Sequence, residues 1–217
     1  MKNTNFYSKW NNSKSLLHRV GNFLANHHTI KMLFSILIIG TLASCGNGTR
    51  NNKDAVDSAK SENKMKRQDS TIALTKDETN FMVKAANGGM AEVKMGKLAN
   101  DKSSNDQIKN FGSQMVKDHD SVNNQLKALA VQFNVTLPAD IDQDEQDNFN
   151  KLNDKSGNDF NKDYIDLMVK EHKDAVDLFQ KEQKNGTNQT LLDFVNNALP
   201  TLQGHLQSAE SIQKSMK

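Results

Sequence analysis

"IKNFGSQMVKDHDSVNNQLKALAVQF" runs from Ile108 to Phe133, and its spacing decides the fold. Ile108, Phe111, Met115, Val122, Leu126, Leu129 and Phe133 recur at the three- and four-residue steps that line one face of an α-helix. His119 stands in the same stripe, where the period calls for an apolar side chain. Ser104-x-x-Gln107, just upstream, has the form of a capping box, so a helix is expected to open there. It should run until "NVTLPAD", at 134–140, breaks it.

The same pattern extends in both directions. Thr75-x-x-Glu78 is a second capping box, opening a helix whose stripe is Phe81, Ala85, Gly88, Glu92, Met95 and Ala99. Downstream, a helix from near Ser156 carries Phe160, Tyr164, Met168, His172, Ala175 and Phe179 and stops at Asn185-Gly186. Another, from near Asn188, carries Leu191, Phe194, Ala198, Leu202, His205, Ala209 and Ile212, with Pro200 expected to kink it. A short helix is expected over Asp142 to Asn153. Four helices of about 25 residues, each with one apolar stripe and mostly short links, predict an all-α up-down four-helix bundle over residues 75–217, with a longer second connection. No strand is expected.

Three histidines follow residue 44, and all three fall on core stripes: His119, His172 and His205. The first long helix adds Glu92 to its own stripe, which makes one metal-competent residue per helix. Counting from the helix links at 1.5 Å per residue, Glu92 and His119 differ in height by about 7 Å, and His172 and His205 by about 5 Å. All four therefore lie near mid-bundle. Three imidazoles and a carboxylate suit Zn, Cu, Ni or Fe, and Met95, Met115 and Met168 lie near enough to be soft ligands for Cu(I) or core filler. The alternative is that each histidine is a core group bonded to a carboxylate or a backbone carbonyl. Asp118 and Glu171, each one residue before a histidine, are the candidate second-shell partners. A metal site requires ring nitrogens converging to about 2.0–2.2 Å from one point.

"GGMAEVKMGKLA" (88–99), "FGSQMVKDH" (111–119), "YIDLMVKEHKDAV" (164–176) and "LPTLQGHLQSA" (199–209) together resemble the DUF4142 family. That family comprises bacterial exported proteins with a ferritin-like four-helix fold and no assigned activity. The resemblance covers about Asp77 to Glu210, and Glu92, His119, His172 and His205 match the family's recurrent polar positions. It implies fold and envelope location and carries no reaction. A di-iron site of the ferritin-like type needs Glu-x-x-His on two helices, but Val116, Val169 and Leu202 stand three residues before the histidines.

The N-terminal segment reads as an address. Residues 1–44 hold five bases (Lys2, Lys9, Lys14, Arg19 and Lys31) and no acid, and "MLFSILIIGTLA" (32–43) is an apolar run too short to span a bilayer. This is a signal-peptide layout with an extended n-region or a later translation start. Leu42-Ala43-Ser44-Cys45-Gly46 resembles the bacterial lipobox, which makes Cys45, the only cysteine, the expected lipidation site and the protein's membrane anchor. Residues 46–74, polar and without sustained apolar period, are expected to be a flexible tether.

Without its first 44 residues the chain has 23 bases against 26 acids, so no basic surface for nucleic acid is expected. Asp140-x-Asp142-x-Asp144 begins like a calcium loop, but Glu145 replaces the required glycine and Lys151 the bidentate glutamate. Neither a phosphate loop nor a nucleophile elbow is present. The expectation is a lipid-anchored envelope protein that faces the periplasm and acts as a non-enzymatic binding or stress-related module; its cofactor stays open, a transition metal in the mid-bundle His/Glu site being the candidate. A metal-dependent redox or hydrolytic enzyme and a purely structural interaction module are the alternatives, and protein partners stay open.

Overall fold

The computed structural model describes residues 54–216, within a unit bounded by Thr49 and Lys217. The expected signal peptide and the expected lipidation site, Cys45, lie outside the described residues, which form six helices and no strand. These are α1 (Ala55–Gln68), α2 (Lys76–Lys102), α3 (Asp106–Gln132), α4 (Gln143–Asn153), α5 (Gly157–Asn185) and α6 (Gln189–Ser215). The four long ones close a ring, with α2 against α3 and α5, and α6 against α3 and α5.

Local chemistry sets the ends. Thr75 and Glu78 form the expected capping box: Glu78 N–H donates to Thr75 Oγ1 at 3.2 Å and Thr75 N–H to Glu78 Oε2 at 2.8 Å. The next helix starts one residue later than its sequence signal, because Asn105 caps it in place of Ser104, accepting from the N–H groups of Gln107 and Ile108. Asp142 caps α4 as its acidic start implied, and Asn188 caps α6. Gly186 ends α5 at the expected place but in extended backbone, its N–H donating to Glu182 O at 2.7 Å. Pro200 lies inside α6, which remains one helix around it.

Two expectations are corrected. Residues 55–68 are helical where a flexible tether was expected, and Ile72 and Leu74 behind them are buried in the core. The apolar signal of α1 is thin, since Val56 and Ala59 are joined at the third stripe position by a polar residue, Asn63. That position docks by hydrogen bonds: Asn63 Nδ2 donates to Thr136 O at 2.8 Å, and Thr136 N–H to Asn63 Oδ1 at 2.7 Å. The second correction concerns α2, which is not single-faced. With α1, α3, α4 and α5 all packed on it, it buries Met82, Val83, Ala86, Ala91 and Val93 besides its stripe.

The core divides along the axis. One apolar cluster takes Phe81 and Met82 of α2, Leu126 of α3, Phe179 of α5 and Leu191 to Leu202 of α6. The other takes Met95 of α2, Phe111 and Met115 of α3, Phe160 to Val169 of α5 and Ala209 of α6. His119, His172 and His205 fall between the two on their respective helices, and Glu92 lies at the near edge of the second, just after Ala91. Backbones approach closely just below that layer: a Cβ built on Gly96 would stand 2.7 Å from Gly112 O, so glycine is what lets α2 and α3 meet there.

Candidate metal centre

One residue from each long helix enters the layer, and none is more than 3% exposed. The three imidazoles form a triangle with ring centroids 5.5 Å (His119–His172), 5.2 Å (His119–His205) and 5.4 Å (His172–His205) apart. One ring nitrogen from each lies within 4.8 Å of one from each of the others. The difference in height inferred from the links is thus taken up by packing.

Each imidazole is held by one nitrogen. His119 Nδ1 is 3.0 Å from Glu92 Oε2, His172 Nδ1 is 2.9 Å from Met168 O, and His205 Nε2 is 3.0 Å from Asp118 Oδ2. The Met168 carbonyl and the Asp118 carboxylate accept, so His172 and His205 carry a proton on the engaged nitrogen and a lone pair on the other, while Glu92 engages His119 through Nδ1 and leaves Nε2 as its outward nitrogen. The other nitrogens, His119 Nε2, His172 Nε2 and His205 Nδ1, are buried and have no partner. An oxygen acceptor behind each ring and a bare nitrogen in front is how metal-binding histidines are oriented. Around a tetrahedral ion about 2.0–2.1 Å from each nitrogen, the donors stand ~3.4 Å apart, so the rings need close by roughly an ångström.

Electrostatics keeps the rings neutral. Burial, then the neighbouring His172 and His205, holds His119 well below the ordinary imidazole range. Burial also lowers His172 to about 4, against the bond to Met168, and lowers His205 against the opposing pull of Asp118. Neutral imidazole is the form that ligates a metal. Glu92 moves oppositely: burial, then the charges of Glu171 and Glu145, push its carboxyl well up. Its Oε1 has no hydrogen-bond partner and stands 3.5 Å from His172 Nδ1.

Of the two expected supporting carboxylates, Asp118 serves, but for His205 across the helix interface and not for its neighbour His119. Glu171 does not orient His172. It meets Lys170 at 3.1 Å and faces Glu145, which burial and the Glu171 charge push up to about 7. Met95, Met115 and Met168 are buried in the apolar cluster beside the layer, and what Met168 offers the site is its backbone carbonyl. Sequence reasoning allowed for a backbone carbonyl as a histidine partner but not which one, and it missed the place of Glu145 and Tyr164. The Tyr164 hydroxyl is buried without a partner, and burial and Glu92 push it upward. Tyr164 was legible only as a stripe residue.

The comparisons agree with this architecture. The model of a domain of unknown function (DUF4142) matches residues 63–212. The chain belongs to the DUF4142 family. No curated protein matches it. Among solved structures, the crystal structure of a DUF305 fragment from Deinococcus radiodurans is similar, with a TM-score of 0.59 at 11% identity, covering 65% of this chain and 98% of that one. At that identity the likeness is one of fold. This DUF4142 chain has, among its described residues, no helix long and apolar enough to cross a membrane.

Proposed function

We propose that this DUF4142 protein binds a transition-metal ion between His119, His172 and His205, in a ferritin-like four-helix bundle. The observation that carries this reading is that each ring keeps one buried, unpartnered nitrogen while the three rings bring one nitrogen apiece within 4.8 Å of one another across the core. A polar core kept only for packing leaves three lone pairs desolvated without compensation, an arrangement that costs stability at every position. An ion of the Zn, Cu, Ni or Fe group satisfies all three at once. Glu92 and Asp118 then act behind the ligands, raising the basicity of His119 and His205 and fixing their tautomers.

The test compares metal content and thermal unfolding of the full chain, purified in detergent without a polyhistidine tag, with a His119→Ala/His172→Ala variant. About one ion per chain is expected in the parent and none at this site in the variant. With ion at about a hundred times its Kd, the parent gains about 2.7 kcal/mol that chelator removes. Equal metal content and unfolding in both proteins would sink the reading.

Export and lipid anchoring at Cys45 complete the proposal, supported by the basic apolar leader and the lipobox-like residues before Cys45. On this reading the domain is a binding module held at an envelope membrane, with no nucleic-acid partner. Labelled palmitate should enter the parent and not Cys45→Ser; label in both, or in neither, refutes the anchor.

A further inference from the structure

A cavity of about 390 Å³ between α2, α4 and α5 reaches the histidine layer from outside. Its lining grades inward from exposed Asp144, Asp174 and Lys170, through half-buried Glu145 and Glu171, to buried Glu92 and His119. Six carboxylates line it against two lysines, and one of these, Lys170, is held at the rim 3.1 Å from both Glu171 and Asp174. Two atoms of its innermost residues, Glu92 Oε1 and His119 Nε2, are buried without partners. Such a cleft, negative and low in dielectric, concentrates cations and excludes anions.

We propose that this cavity is the path by which a divalent cation enters the histidine site, with Glu145 and Glu171 handing it from the rim to Glu92. The inference rests on the metal-binding reading. It accounts for two features which that reading leaves over, the packing of Glu145 against Glu171 in the cavity wall and the free oxygen of Glu92. Successive carboxylates in a narrowing acidic cleft replace an ion's water in steps, which a purely apolar wall cannot do.

Gly88 supplies a test that leaves every polar group in place. It lines the cavity, and a Cβ built on it meets nothing within 4 Å, so a larger side chain there fills the passage without displacing the helix. The probe is Co²⁺, followed in stopped flow by the visible band it acquires in imidazole coordination, with the full chain. Gly88→Leu and Glu145→Gln/Glu171→Gln should each slow uptake tenfold or more and leave the final band unchanged. Lys170→Gln should speed it two- to fivefold, and added salt should slow the parent more than the double variant. Equal rates in all four proteins, with the band present, would overturn the entry path and leave the site standing. A smaller final band at an unchanged rate in the glutamine variant would also overturn it. If the parent takes up no Co²⁺, the metal site fails and the path with it.

Discussion

Glu78 and Glu92 lie on the same helix and are each 3% exposed, Glu78 at the helix start and Glu92 deeper at mid-bundle, yet they have opposite fates. Glu78 is saturated: its Oε2 accepts from Thr75 N–H, and its Oε1 from Thr187 N–H, Thr187 Oγ1 and Asn188 N–H, at 2.8 to 3.0 Å. Burial alone would raise its pKa, but those donors outweigh burial and bring it down to about 2. Glu92 meets one close partner, His119 Nδ1 at 3.0 Å, keeps one bare oxygen and feels the negative charges of Glu171 and Glu145. Burial therefore does not separate a structural carboxylate from a functional one. Glu182 also keeps a bare buried oxygen, so what sets Glu92 apart is that its unused bonding capacity is gathered with that of the three histidines beside it.

The comparison breaks most directly under one substitution made twice. Glu78→Gln should cost about 3 kcal/mol at neutral pH, since the folded pKa of about 2 lies below the ordinary 4.5. That contribution is complete above pH 4.5 and is lost as pH falls toward 2. Glu92→Gln should cost nothing in the metal-free protein, because its raised pKa means that ionising it opposes folding as pH climbs past 4.5. The same change should weaken metal retention. Urea unfolding of both variants across pH decides the matter, and equal losses at neutral pH would abolish the distinction. The histidines add a separate window: their lowered pKa values make stability fall as pH drops through 6.5, down to about 4 for His172.

A second test moves the scaffold and not the carboxylate. Gly96 and Gly112 allow the close approach of α2 and α3 one turn from Glu92. Gly112→Ala sets a methyl 2.8 Å from Gly96 O and 2.9 Å from Ala99 Cβ, so the helices must part. The expected loss is about 2 kcal/mol, with weaker metal retention because Glu92 no longer reaches His119. Unchanged denaturation and retention would mean that the pair is positioned by something other than this crossing.

How much of this was legible follows from which forces leave a mark on sequence. Periodicity placed the four long helices and picked out Glu92, His119, His172 and His205, because an apolar stripe makes any polar intruder visible. Helix starts were readable where one side chain does the capping, as at Thr75, and slipped by one residue where Ser104 and Asn105 compete for the role. What stayed hidden depends on partners far away in the chain: Asp118 bonding His205, Glu145 facing Glu171, and a carbonyl of Met168 holding His172. The first helix was missed for the same reason, since part of its docking is polar and the partner of Asn63 lies some 70 residues on.

That helix supplies the mildest prediction and a control for the rest. Asn63 is 1% exposed and, like Glu78, saturated by backbone groups, but it is neutral. If saturation is what marks a structural polar group, Asn63→Ala should cost stability without touching the metal site. Thr136 sits on the connection between α3 and α4, and freeing its N–H and C=O lets water compensate in part. The loss should be about 1 to 2 kcal/mol, below that of Glu78→Gln, because no charge is involved. Hydrogen exchange should quicken at Thr136 and along residues 55–68 while protection at His119 and His172 holds. Faster exchange spreading into the histidine layer would show that α1 braces the site, and Asn63 would no longer stand as a structural group separate from it.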